Sequence, residues 1–127
     1  MSSLRLGVAG VGSLGFHHAR IARELPNATL VGVHDANPAR LQQVEQELGV
    51  RGFADLRELL DQVDACVIAV TTTAHEAVAL EALQRGVHVL IEKPIAPSIE
   101  AADRILAAAE NSGATVQIGH VERFNAA

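Results

Sequence analysis

The sequence predicts a doubly wound α/β domain, a mostly parallel sheet with helices on both faces. Three observations predict it: apolar strand-like segments alternate with helical ones along the whole chain, a glycine-rich turn directly follows the first apolar segment, and the apolar residues are almost all aliphatic. Strand and helix in strict alternation imply parallel strands joined by right-handed crossovers, which place helices on both faces. Hydrophobic residues make up 49% of the chain, yet the only aromatics are Phe16, Phe53 and Phe124. A core of Val, Leu, Ile and Ala suits strands buried on both sides. With 127 residues there is enough chain for one such core, so a single domain over residues 1–127 is expected.

The elements come in order. Leu4 to Ala9 reads as a buried first strand. From Ser13 a helix is expected to run to Pro26, with Leu14, His18, Ile21, Ala22 and Leu25 recurring at three and four as its packed stripe. Thr29 to His34 forms a second strand that closes at Asp35. Asn37 then caps a helix that opens at Pro38, packs through Leu41, Val44 and Leu48, and stops at Gly49. A brief strand around Val50 to Phe53 and a short helix from Asp55 precede a fourth strand, Asp64 to Val70. A helix from Thr73 to Gly86, a strand from Val87 to Ile91, an Ala-rich helix from Pro97-Ser98 to Gly113 and a last strand from Ala114 to Ile118 complete the pattern.

Charge and composition narrow the function. A net charge of -5 and scattered basic residues exclude a phosphate-backbone footprint, so no nucleic-acid partner is expected. The N-terminus lacks the basic and apolar regions of a secretory leader, and no apolar run has membrane-spanning length, which gives a cytoplasmic protein as the expectation. The single cysteine, Cys66, sits in the fourth strand and reads as an inert core thiol. His17 is expected to be exposed, His18 packed, and His34 and His88 structural. No pair of histidines combines with an acid at metal-ligand spacing, so no metal is assigned.

Gly10-Val11-Gly12-Ser13-Leu14-Gly15 follows the first strand and opens the first helix. In that place each glycine serves a separate purpose. Gly10 permits the tight turn, Gly12 admits a pyrophosphate close to the backbone, and Gly15 lets the helix approach the strand. The free amides of the helix N-terminus then face the phosphates. Asp35, twenty residues after Gly15 at the end of the second strand, is placed to accept the adenosine ribose hydroxyls and to repel a 2′-phosphate. A Rossmann domain binding NAD rather than NADP is therefore expected, tempered by Arg40, which stands close enough in sequence to pair with such a phosphate.

Four segments carry a family resemblance: Val8-Ala9-Gly10-Val11-Gly12, Thr71-Thr72-Thr73-Ala74-His75, Glu92-Lys93-Pro94 and Gly119-His120-Val121-Glu122-Arg123-Phe124-Asn125. Together they resemble the Gfo/Idh/MocA oxidoreductases over the whole chain, most closely the branch acting on nucleotide-linked N-acetyl sugars and related sugars. The resemblance implies that Lys93 points into the active site beside the nicotinamide ribose and assists proton movement on the alcohol. A lysine at a strand's C-terminal edge near a cationic nicotinamide has the setting for general acid or base work. Glu92 corresponds to the motif's acid near the nicotinamide ribose, with a loop-bridging structural role as the alternative. Thr71 and Thr72 correspond to the loop passing over the dinucleotide, although many members have proline at the second position. His75 corresponds to a histidine whose imidazole reaches the cofactor, or else caps its own helix. Arg123, with His120 and Glu122, falls in the segment leading to the family's second domain. The cofactor set is thus Gly10, Val11, Gly12, Ser13, Leu14, Gly15, Asp35, Thr71, Thr72, His75, Glu92, Lys93 and Arg123, with Lys93 catalytic.

The expected activity is that of an NAD-dependent dehydrogenase transferring hydride between a secondary alcohol of a sugar-type substrate and the nicotinamide, with the substrate domain absent from this chain. The chain alone is expected to turn over little, and to self-associate through apolar surface that a second domain would cover. The alternative is a stand-alone NAD(H)-binding sensor without catalysis. Glu92-Lys93-Pro94 speaks against it, because a sensor has no need of a catalytic lysine.

Overall fold

A computed structural model describes residues 4–92, 96 and 98–119. Six strands form one parallel sheet: β1 (Leu4–Ala9), β2 (Ala28–His34), β3 (Gly52–Phe53), β4 (Ala65–Ile68), β5 (His88–Glu92) and β6 (Val116–Gly119), in the order β3-β2-β1-β4-β5-β6. The helices are α1 (Ser13–Arg23), α2 (Pro38–Leu48), α3 (Leu56–Leu60), α4 (His75–Gln84) and α5 (Ile99–Ser112). The strand order reverses between β1 and β4, the switch point at which doubly wound sheets open a crevice at their C-terminal edge.

Local chemistry fixes the helix ends. Asn37 accepts from the amides of Ala39 and Arg40 with Pro38 at the first position, Asp55 accepts from Arg57 N, and Ser98 accepts from Ala101 N. Gly49 and Gly113 close α2 and α5 in the left-handed conformation. Two cores lie on opposite faces of the sheet. Val8, Val11, Val33 and Val44 fill the side of α1 and α2, while Leu59, Ile68, Leu83, Ile91 and Ile105 fill the side of α3, α4 and α5. Cys66 is buried in the second core, and desolvation pushes its thiol up to about 12, so it is no nucleophile.

Several expectations change, β4 among them, which spans Ala65–Ile68 rather than Asp64 to Val70. Strand β3 is two residues long rather than four, and α4 is preceded by a 3-10 turn, Thr72–Ala74. The larger correction concerns α1. Its buried residues are Gly15, Ala19 and Ala22, while Ile21 and Leu25 stand 47% and 44% exposed. The helix lies so close to the sheet that only small side chains fit beneath it, and the bulky apolar ones are displaced to its flank. There they border a groove of about 620 Å³ over β4 and β5, lined by Leu4, Leu6, Ile21, Leu25, Val67 and Leu90 among others.

Candidate cofactor site

The turn after β1 is shaped by contacts that leave little choice of residue. Gly10 has φ +92, and a Cβ there would lie 2.7 Å from the Ala69 carbonyl. A Cβ on Gly15 would lie 1.6 Å from the Gly10 oxygen. Gly12 differs, because a Cβ there meets nothing within 4 Å. The space in front of Gly12 is open, and no side chain caps the first turn of α1. Backbone amides at a helix N-terminus, free of a cap and facing open space at the switch point, suit a pyrophosphate. Ser13 is exposed and Leu14 half-buried at that turn.

The loop is clamped through its buried residue, Val11. Its amide donates to Asp35 Oδ2 at 2.9 Å, and its carbonyl accepts from Arg40 Nε at 2.7 Å. The other Asp35 oxygen accepts from Asn37 N at 2.9 Å. Asp35 thus stands at the end of β2 half-exposed, with both oxygens oriented by the backbone. Arg40 is engaged by Val11, donates to Gln43 at 2.9 Å and lies over the Phe16 ring at 5.4 Å. Its first function is to hold the glycine loop, a role that spacing alone did not reveal.

On the other side of the switch point, Gly10 packs against Ala69 and Val70 at the end of β4. Thr71 is exposed and its hydroxyl lies 3.3 Å from that of Thr73. Thr72 lies in the 3-10 turn. His75 is buried and donates from Nε2 to the Val70 carbonyl at 3.0 Å, tying the loop to the start of α4. Glu92, at the C-terminal end of β5, is buried, and its Oε1 is in contact with His18 Nε2. His18, expected to be packed, is half-buried and also contacts Glu92. Strand parity held the signal: Val89 and Ile91 enter the core of α4 and α5, so Glu92 faces the α1 side. Lys93 and Arg123, with His120 and Glu122, lie outside the described residues. Lys93 is also the only lysine in the chain, a compositional signal independent of the motif around it.

His17 is exposed and bonded to Arg20 at 3.0 Å. His34 Nδ1 donates to the Phe53 carbonyl at 2.7 Å, and His88 Nδ1 accepts from Thr115 N at 3.0 Å, so both serve strand ends. Among the described residues no group of three His, Cys, Asp or Glu gathers to hold a metal.

The model of the Gfo/Idh/MocA family, described as an oxidoreductase family with an NAD-binding Rossmann fold, matches residues 4–120. The chain belongs to this family. It carries the family's NAD-binding domain, and the cradle at Gly12 fits that cofactor. A UDP-N-acetylglucosamine 3-dehydrogenase of Acidithiobacillus ferrooxidans is 41% identical over all of this chain and 40% of its own length. Its solved structure superposes with a TM-score of 0.88 at 42% identity, covering 97% of this chain and 40% of that one. A scyllo-inositol 2-dehydrogenase (NAD(+)) of Bacillus subtilis is 32% identical over 98% of this chain and 37% of its own length. The WlbA dehydrogenase of Bordetella pertussis, solved in complex with NADH and UDP-GlcNAcA, is 34% identical with a TM-score of 0.87, covering 98% of this chain and 37% of that one. This Gfo/Idh/MocA chain therefore spans about 40% of the length of such relatives.

Proposed function

We propose that this domain is the cofactor-holding half of an NAD-dependent dehydrogenase acting on a secondary alcohol of a sugar or cyclitol. The observation that carries this reading is the open, uncapped start of α1 at Gly12 together with Asp35 at the end of β2. NAD supplies the hydride acceptor. The α1 amides bind the pyrophosphate, Asp35 the adenosine ribose, and the loop from Val70 to Thr72, tied down by His75, borders the dinucleotide on the β4 side. Arg123, four positions after β6 in the sequence, is assigned to the same cofactor set. Lys93 would take the hydroxyl proton of the substrate alcohol.

The similar UDP-N-acetylglucosamine and inositol dehydrogenases support a polyhydroxylated ring as substrate, a nucleotide-linked N-acetyl sugar first among them. Their greater length supports a second domain that supplies the substrate-binding groups. No helix among the described residues is long and apolar enough to cross a membrane, and we place the protein in the cytoplasm. The groove beside Ile21 and Leu25 is the face through which the chain self-associates.

Calorimetric titration with NAD, paired with a spectrophotometric assay of NADH formation from UDP-N-acetylglucosamine and scyllo-inositol, tests this reading. Saturable binding with little or no turnover by the 127-residue chain is expected. Absence of binding overturns the cofactor role, and robust turnover overturns the need for a second domain.

A further inference from the structure

Val11 buries its side chain with Val8, Val33 and Val44, between two glycines whose backbones have no side chain to restrain them. Its two peptide groups are held instead from the α2 side. Asp35 accepts from the Val11 amide, and Arg40 Nε donates to the Val11 carbonyl at 2.7 Å. A trans peptide is planar, so its carbonyl and the N–H that follows point opposite ways. Fixing the Val11 carbonyl therefore fixes the direction of the Gly12 N–H. That N–H has no acceptor among the described residues and stands at the open start of α1. Arg40 is committed elsewhere as well: Nη1 donates to Gln43 at 2.9 Å, and the guanidinium lies over Phe16, which packs on the core of α1 and α2. Val11 is fully buried, so its carbonyl loses its partner if Arg40 swings away to a phosphate on the ribose.

We propose that Arg40 is a positioning residue for the dinucleotide pyrophosphate, a role that rests on the cofactor reading above. It acts through the Val11 carbonyl to aim the Gly12 amide, and it is not the partner of the 2′-phosphate of NADP. A cation bonded to a carbonyl also polarises the peptide, which strengthens the N–H at its other end as a donor. NAD and NADP carry the same pyrophosphate, so the contribution of Arg40 is the same for both. A second arginine supplies the comparison. Arg23, in the last turn of α1, donates from Nη1 to the Leu48 carbonyl at 2.8 Å and ties α1 to α2 at the end of both helices away from the glycine turn.

The test is calorimetric titration with NAD and NADP, at a temperature where circular dichroism shows each protein folded. Arg40→Gln is expected to raise the Kd of NAD roughly tenfold, the effect of leaving one backbone residue to be ordered on binding. Arg40→Lys keeps a cationic donor and recovers most of that loss. Arg23→Gln lowers Tm and leaves the Kd unchanged. Asp35→Asn removes the repulsion of a 2′-phosphate and keeps an acceptor for the Val11 amide. In that background Arg40→Gln is expected to weaken NAD and NADP by the same factor to within about threefold, the reach of a screened charge. NADP that stays undetected in Asp35→Asn, with Arg40 intact, likewise shows that Arg40 does not hold the phosphate. A loss confined to NADP of roughly tenfold or more, as a direct charge-assisted bond gives, overturns the proposal. So does Asp35→Asn binding NADP more tightly than NAD, an NAD Kd unchanged in Arg40→Gln, or an equal rise in Arg23→Gln. These outcomes spare the cofactor reading. No binding of NAD by the unmodified chain overturns both.

Discussion

Replacing Gly12 or Gly15 by alanine adds the same methyl group three residues apart, with opposite consequences. At Gly15 the new Cβ would lie 1.6 Å from the Gly10 oxygen, so the start of α1 must retreat by nearly 2 Å to reach ordinary contact. The helix is held there by the close fit of Ala19 and Ala22, and a shift of that size costs about 3 kcal/mol. For a domain of this length that lowers Tm by about 10 °C. At Gly12 the backbone is extended, with φ -63, and the Cβ meets nothing within 4 Å. The cost to the fold is within about 1 kcal/mol, the difference between Gly and Ala at a helix N-cap. The methyl group instead occupies the approach to the α1 amides. Losing two charge-assisted hydrogen bonds there removes about 3 kcal/mol of affinity or more, which is at least a hundredfold in Kd. Thermal denaturation and NAD calorimetry on both variants check the pair. A Gly12→Ala protein that binds NAD as tightly as the unmodified chain, or that melts as early as Gly15→Ala, would refute the reasoning.

Other consequences arise from the same contacts. Asp35→Ala strands the buried Val11 amide, and a loss of about 1 to 3 kcal/mol is expected in denaturant unfolding, together with weaker NAD binding by calorimetry. Cys66 has a folded value raised from 9.0 to about 12, so its contribution to stability is complete below 9 and is lost as pH rises from there towards 12. Chemical denaturation above pH 9 should lose about 1.4 kcal/mol per pH unit from this group, and Cys66→Ala should remove that slope; an unchanged slope contradicts the burial. Ile21→Lys with Leu25→Lys is expected to raise the monomer fraction in light scattering without lowering Tm, since both side chains lie outside the packed face of α1; a lowered Tm places them in the core.

Most of the fold was legible because its signals are local. The capping residues Asn37 and Ser98 and the terminating Gly49 and Gly113 mark helix ends by their own backbone chemistry, and the structure places them there. Of the packed face of α1 only Ala22 was legible. Hydrophobic periodicity ranks Ile and Leu above Gly and Ala, whereas at a close helix-sheet contact the small residues are the buried ones. The glycine cradle and Asp35 were readable from spacing, because the turn requires glycine at fixed offsets. The clamp on Val11 by Arg40 and the pairing of His18 with Glu92 join residues 29 and 74 positions apart, and no periodicity within one element records such a contact.

The cofactor assignment is tested most directly by a crystal structure of the chain grown with NAD. The pyrophosphate is expected against Gly12 and the first amides of α1, the adenosine ribose hydroxyls on Asp35, and the Lys93 amine beside the nicotinamide ribose. A dinucleotide bound away from Gly12, or in place but with Lys93 turned out of the nicotinamide site, would contradict it.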